Sequence, residues 1–317
     1  MNRTNVLITG ANGQIGTVLT QTLRQRYGAE SVLATDLRPT EQKDPHFARL
    51  DALDRAGLHR LIEQHDIQVI YHLAAILSAK GEQNPQQAWQ VNMDSWFNVL
   101  EAARAYDLRV FFPSSIAVFG ANTPADHTPQ DTIMQPGTVY GISKVAGEHW
   151  AQYYHQKYGV DVRSLRYPGI VGYQSMPGGG TTDYAVDIYH HAVQNQPFRC
   201  FLGADTRLPM LYMDDAIRAT VELMEAPAEQ IRVRTAYNLA GMSFTPAEIA
   251  AAIRQWAPGL TVTYQPDFRQ AIAETWPDSI DDSAARRDWG WSPAYDLDRM
   301  TREMLQKLRE QYASQQV

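Results

Sequence analysis

Gly10-Ala11-Asn12-Gly13-Gln14-Ile15-Gly16 follows a short apolar run, Asn5–Thr9, and opens a stretch in which Ile15, Val18, Leu19, Thr22 and Leu23 recur at helical spacing until Gly28 stops it. Glycines at this spacing let the chain turn sharply out of a buried strand. They also bring backbone N–H groups and the positive end of a helix dipole against a pyrophosphate. A glycine triplet alone is an ordinary strand-to-helix turn; between this strand and this helix it reads as a dinucleotide-binding turn. Asp36 follows Gly16 by 20 residues, at the end of the next strand candidate. A carboxylate there accepts both ribose hydroxyls of an adenosine and repels a 2′-phosphate, so the expected cofactor is NAD rather than NADP. Arg38, which would suit such a phosphate, is read as a solvated loop charge.

Outward from this turn, β-rich runs alternate with helical patterns. Strands are expected at Asn5–Thr9, Ser31–Thr35, Val69–His72, Arg109–Pro113 and Asp161–Tyr167. The first, third and fourth are nearly continuous apolar runs, the pattern of strands buried on both faces of a parallel sheet. Helices are expected around Leu58–Ile62 and over Val91–Tyr106, Ile142–Tyr158, Tyr184–Gln194 and Met210–Glu225, with a further strand at Arg234–Leu239. Thr245-Pro246 opens another helix, a capping residue followed by proline in the first turn. The fold class is therefore α/β: a Rossmann-type doubly wound parallel sheet with a smaller C-terminal α/β substrate domain. The expected division is 1–172 plus about 210–240 for the nucleotide domain, and 173–209 with 241–317 for the substrate domain.

The 317 residues carry 28 basic and 35 acidic side chains, a formal charge of −7. This acidic balance argues against a nucleic-acid partner and against an anionic membrane surface. A single cysteine, Cys200, excludes an intrachain disulfide and paired-cysteine zinc motifs, and no His-Glu-x-x-His pattern occurs, so no metal is expected. The opening residues lack a secretory-signal pattern and no apolar run reaches membrane-spanning length, so the expectation is a cytoplasmic protein.

Two further motifs carry chemistry. Tyr140-Gly-Ile-Ser-Lys144 places a phenol and an ammonium one turn apart on one helix face. A phenol titrates near pH ~10, and a neighbouring cation favours its ionised form, so the pair can serve as a general base. Phe112-Pro-Ser114-Ser115 ends a buried strand at the sheet edge where open α/β folds bind ligands.

With these motifs in this order, the chain resembles the extended short-chain dehydrogenase/reductase superfamily, which includes UDP-galactose 4-epimerase, over almost its whole length. Gly10, Gly13 and Gly16 match the glycine motif, Tyr140 and Lys144 the Tyr-x-x-x-Lys motif, and Ser115 the catalytic serine. The resemblance implies a catalytic set of Tyr140, Lys144 and Ser115. It implies cofactor contacts from Gly10, Gly13, Gln14, Ile15, Gly16, Asp36, Leu37, Asp51, Ala52, Leu73, Ala74, Ala75, Asn92, Ser114, Tyr140, Lys144 and Tyr167. In Arg166-Tyr-Pro-Gly169-Ile-Val-Gly172, Gly169 stands where nucleotide-sugar enzymes carry asparagine, while Arg207 matches their phosphate-binding arginine. Ser115 is followed by Ile116 and Ala117 rather than acidic residues, which argues against sugar dehydration.

Three regions, Tyr167–Val171 with Pro177–Tyr184, Thr206–Met210, and Met242–Pro246 with Trp276–Asp282, look like the short-chain type of L-threonine 3-dehydrogenase. That resemblance implies L-threonine as substrate, L-2-amino-3-oxobutanoate as product, and substrate contacts from Ser78, Ser115, Tyr140, Gly179, Thr181, Thr182 and Trp276. Segments 176–184 and 273–280 are the candidate moving parts. The superfamily's common four-helix dimer contact would fall on Val91–Tyr106 and Ile142–Tyr158, implying a homodimer. Two other readings stand beside this one: a nucleotide-sugar epimerase or reductase, and a non-catalytic NAD-sensing module.

Overall fold

A computed structural model of the chain describes residues 4–40, 43–176, 178 and 180–314. In chain order its elements begin with β1 (Val6–Thr9), α1 (Gln14–Tyr27), β2 (Val32–Asp36), β3 (Phe47–Arg49), α2 (Arg55–Gln64) and β4 (Val69–His72). There follow α3 (Ser78–Gly81), α4 (Pro85–Tyr106), β5 (Arg109–Ser115), α5 (Val139–Tyr158), β6 (Val162–Tyr167), β7 (Gly169–Val171) and α6 (Tyr184–Val193). Next come β8 (Phe198–Cys200), β9 (Leu208–Tyr212), α7 (Met213–Glu225), β10 (Tyr237–Asn238) and β11 (Met242–Phe244). The chain ends with α8 (Pro246–Arg254), β12 (Val262–Tyr264), α9 (Phe268–Ala273), α10 (Ser283–Trp289) and α11 (Leu297–Ser314).

Seven strands form one parallel sheet in the order β3-β2-β1-β4-β5-β6-β10. Strands β1, β2 and β4 are buried at every position; in β1 and β4 the near-continuous apolar runs require it. The strand order reverses between β1 and β4, and the C-terminal ends of these strands frame the crevice where such sheets bind ligands. On one face, α4 and α5 pack together. Trp96 is wholly buried there, stacks on Phe112 at 4.3 Å and donates its indole N–H to the Gly147 carbonyl.

The C-terminal lobe holds a three-stranded sheet, β11-β9-β7, and a parallel pair, β12-β8. Met210–Tyr212 belongs to strand β9 rather than to the helix expected from Met210 onward; α7 starts at Met213. The apolar pattern there was continuous across the junction, and β9 is paired on both sides, a long-range contact that local periodicity does not report. The chain also returns: Ala284, Ala285 and Trp291 pack with β1, β2 and α7 rather than with the smaller lobe. Residues 124–131 and 278–281 are sewn together. Asp278 and Ser279 N–H groups reach the Ala125 carbonyl, Thr128 N–H reaches Ser279, and Asp281 N–H reaches Thr128.

The helix expected at Thr245-Pro246 starts with a full capping box: the Thr245 hydroxyl accepts from Glu248 N–H (3.2 Å) and the Glu248 carboxylate from Thr245 N–H (2.8 Å). Removing one half leaves a donor at the helix end without its partner. Thr245→Ala is expected to lower unfolding stability by about 1 kcal/mol, read from the midpoint of a urea transition at unchanged slope.

Candidate active site

A cavity of about 240 Å³ opens at the C-terminal ends of β1, β4, β5 and β6. Its floor is the glycine turn. Gly10 holds φ +74°, and a side-chain carbon there would lie 2.8 Å from Ala74 N; at Gly16 it would lie 2.3 Å from the Gly10 carbonyl oxygen. Only glycine allows this turn to close under α1. Gly13, which precedes α1, offers no side-chain cap, so the first-turn N–H groups at the cavity wall have no protein side chain bonded to them among the described residues. This cradle fits a pyrophosphate. Gln14 bridges it to the opposite wall through the Ile170 carbonyl at 3.5 Å.

Of the residues expected to contact the cofactor, Gly10, Gly13, Gln14, Ile15, Gly16, Leu73, Ala75, Ser114, Tyr140, Lys144 and Tyr167 line this cavity. Others lie around it. The Asp36 carboxylate, at the end of β2, accepts Asn12 N–H and Arg38 N–H, each at 3.0 Å. The Arg38 guanidinium is exposed and donates to the Asn12 carbonyl. Leu37 is exposed; Asp51 is exposed and accepts Leu53 N–H; and the Ala52 carbonyl accepts from Asn98. Asn92 is a buried clasp: its amide holds both backbone groups of Ile76 and donates to Ser143, fastening the segment after β4 to α5.

At the reacting end, Ser115 and Tyr140 meet. Burial pushes the Tyr140 phenol up to about 12, with the Ser115 hydroxyl beside it acting in the opposite sense. Burial pulls Lys144 down to about 7, opposed by the Glu148 carboxylate one turn further on. Lys144 Nζ donates to the Pro113 carbonyl at 2.6 Å and lies 5.4 Å from the Tyr140 ring centre. The Ser115 hydroxyl, bonded to the phenol, favours its ionised form. Ser114 turns away and donates to Glu148 at 2.5 Å, and the Tyr167 hydroxyl bonds Thr220. Glu148 is itself paired with the buried Arg166 at 2.8 Å, which ties α5 to β6.

The far wall carries the residues expected to meet substrate. Ser78, Thr181, Thr182 and Trp276 all line the cavity; Gly179 lies outside the described residues. Thr181 is buried, and its hydroxyl has no hydrogen-bond partner among the described residues. Gly169 makes room for this wall: a side-chain carbon there would fall 2.4 Å from Met210 Sδ and 2.8 Å from Thr182. An asparagine therefore does not fit at 169 while Thr182 stands where it does. Arg207 does not line the cavity and is committed to Glu248 (2.6 Å) and the Ser243 carbonyl. Pro113, Leu77, Ile116, Pro168, Ile170, Gly180 and Asp183 also line it; the sequence offered Gly180 as part of an anion-binding glycine turn and read Asp183 as a solvated helix charge. For Ile116 and Pro168 the signal was positional: each directly follows the C-terminal end of a sheet strand. Asp183 accepts the Gly180 N–H at 2.8 Å and so shapes the turn. Among the described residues no group of His, Cys, Asp or Glu side chains is arranged to hold a metal ion.

A twisted parallel sheet with an uncapped glycine turn at its switch point, and a serine–tyrosine–lysine set beside that turn, defines a nucleotide-cofactor enzyme of the doubly wound class. Residues 6–240 match the family model of the NAD dependent epimerase/dehydratase family, and the chain belongs to that family. An uncharacterized epimerase/dehydratase of Staphylococcus haemolyticus is 48% identical over 310 residues, covering 96% of this chain and 98% of that one. The structure is similar to a GalE-like L-threonine dehydrogenase from Cupriavidus necator in its holo form, 58% identical with a TM-score of 0.94, covering 96% of this chain and 99% of that one. It is also similar to a monomeric L-threonine 3-dehydrogenase from a metagenome, 46% identical with a TM-score of 0.94 over 96% and 99% of the two chains.

Gly10→Ala forces a side chain against the Leu73–Ala74 backbone at a positive φ. Strain of roughly 1–3 kcal/mol at this turn is expected to weaken NAD binding by about tenfold or more, measured by calorimetric titration. Lys144 gives a separate test. With its folded value drawn down to about 7, the folded chain has shed this proton between there and the ordinary lysine range, while the unfolded chain retains it. Stability therefore rises with pH across that window. Lys144→Met should melt higher than the parent near pH 6, with the difference shrinking towards pH 10. An equal difference at both pH values contradicts the assignment.

Proposed function

We propose that the protein oxidises L-threonine at its Cβ hydroxyl to L-2-amino-3-oxobutanoate, with NAD as cofactor. The observation that carries this is the small cavity itself. It joins the Ser115–Tyr140 pair to the unpartnered Thr181 hydroxyl, beside Gly169, where Met210 and Thr182 leave no room for the asparagine of the nucleotide-sugar enzymes. The likeness to L-threonine dehydrogenases over almost the whole chain supports the substrate.

In this reading Ser115 holds the substrate hydroxyl and Tyr140, as phenolate, takes its proton. The substrate carbon then becomes a carbonyl as its hydrogen leaves with the bonding pair. NAD, when bound, supplies the acceptor for that hydride. The glycine turn and the first turn of α1 hold its pyrophosphate, and Asp36 its adenosine ribose. Lys144 stands between the Pro113 carbonyl and the phenol, placed to bind the second ribose and to favour the phenolate whenever it carries its proton. Thr181, Thr182 and Ser78 supply hydroxyls to the charged end of the amino acid.

The nucleotide-sugar alternative loses support from Gly169 and from the commitment of Arg207 to Glu248. A homodimer through the outer faces of α4 and α5 belongs to the same proposal, since Trp150, Tyr153 and Tyr158 lie exposed there, and sedimentation decides between it and a monomer. So does a cytoplasmic location, which the single buried cysteine, Cys200, suits. Among the described residues no helix is long and apolar enough to cross a membrane.

NADH formation with NAD and L-threonine, set against D-threonine, L-serine and NADP, tests the assignment; absence of turnover with any amino acid overturns it. Tyr140→Phe is expected to lower kcat by roughly 10²–10⁴-fold while leaving NAD affinity unchanged in a binding titration. A sensor would keep its function with this substitution.

A further inference from the structure

A second cavity, of about 490 Å³, is lined by Ala125, Thr206, Arg207, Gln270, Glu274 and Asp278. Trp276 belongs to the walls of both cavities. Trp276 is 8% exposed and packs in the hydrophobic cluster of the smaller lobe. The segment that follows it is the one sewn to residues 124–131, by Asp278 and Ser279 N–H groups on the Ala125 carbonyl (2.8 and 3.2 Å) and by the Thr128–Ser279 and Asp281–Thr128 bonds (3.0 Å each). The indole is thus a wall shared by two spaces, next to a segment held by four backbone hydrogen bonds.

We propose that Trp276 is a specificity-determining partition that limits the length of the β-substituent the enzyme accepts. The inference rests on the threonine reading and deepens it. The substrate hydroxyl is held at Ser115 and Tyr140. The ammonium and carboxylate call for polar partners, which lie on the Ser78, Thr181 and Thr182 side. The methyl group is left to the apolar panel formed by Trp276 with Leu77 and Ile116. A longer β-substituent meets the indole, and beyond the indole there is already room. Removing the ring joins the two cavities, so the gain is of space that exists rather than space that must be made by repacking.

The test compares kcat/KM for L-threonine and for L-threo-3-phenylserine, with NAD, in the parent, Trp276→Leu and Trp276→Ala. The parent is expected to favour threonine. The ratio should move towards phenylserine by about tenfold or more in Trp276→Ala, and by a smaller amount in Trp276→Leu. The leucine variant keeps an apolar side chain in the cluster and carries the test where the alanine variant does not fold. A general structural loss lowers both rates together and leaves the ratio where it was. A parent that turns over threonine, with variants whose ratio does not move, overturns the partition alone. A parent inactive on threonine overturns the function reading and this inference with it.

Discussion

The closure of the β1–α1 turn is the contact on which the remainder of the site depends. Gly16 stands against the Gly10 carbonyl and Ala11 at a distance that no side chain tolerates. Helix α1 can therefore start directly at the end of the central strand, with its first-turn N–H groups at the cavity wall. Because β1 pairs with both β2 and β4, the position of this turn also fixes Asp36 on one side and the Leu73–Ala75 segment on the other. Helix α5 is then set against the same crevice by Asn92, which clasps Ile76 and Ser143, and by the stacking of Trp96 on Phe112.

The electrostatics of the reacting end follow from burial more than from pairing. Tyr140 and Lys144 are both held away from water, and each is displaced towards its neutral form. Their charged forms are accordingly costly in the unliganded protein, and the groups that lower that cost are specific: the Ser115 hydroxyl for the phenol, and the Pro113 carbonyl and Glu148 for the lysine. Glu148 in turn is neutralised by Arg166, so the charge beside the base is set by a chain of contacts running through α5 and β6.

Much of this was legible in the sequence because the parallel strands are buried on both faces and announce themselves as apolar runs; Val69–His72 emerges with the expected bounds. The glycine turn and the Tyr140–Lys144 spacing are local patterns, and local patterns survive in a one-dimensional reading. The short strands β7, β8, β9, β11 and β12 do not, since they are defined by partners far along the chain, and β9 was accordingly merged with the helix that follows it. Asn92, expected to meet the cofactor, is engaged by a backbone loop and a serine hydroxyl. The sequence marks it as polar and well placed, and only the packing shows which neighbour consumes its hydrogen bonds.

The return of residues 284–291 to the sheet has a consequence for modularity. The core around β1, β2 and α7 is completed by Ala284, Ala285 and Trp291, and the Trp291 indole donates to Asp282 at 3.0 Å. The nucleotide-holding half of this chain is thus no detachable cassette. A fragment ending before residue 284 would leave an unfilled gap in the very layer that supports the glycine turn. The two lobes are bound to a common fate during synthesis, since the first strands emerge long before the segment that seals them.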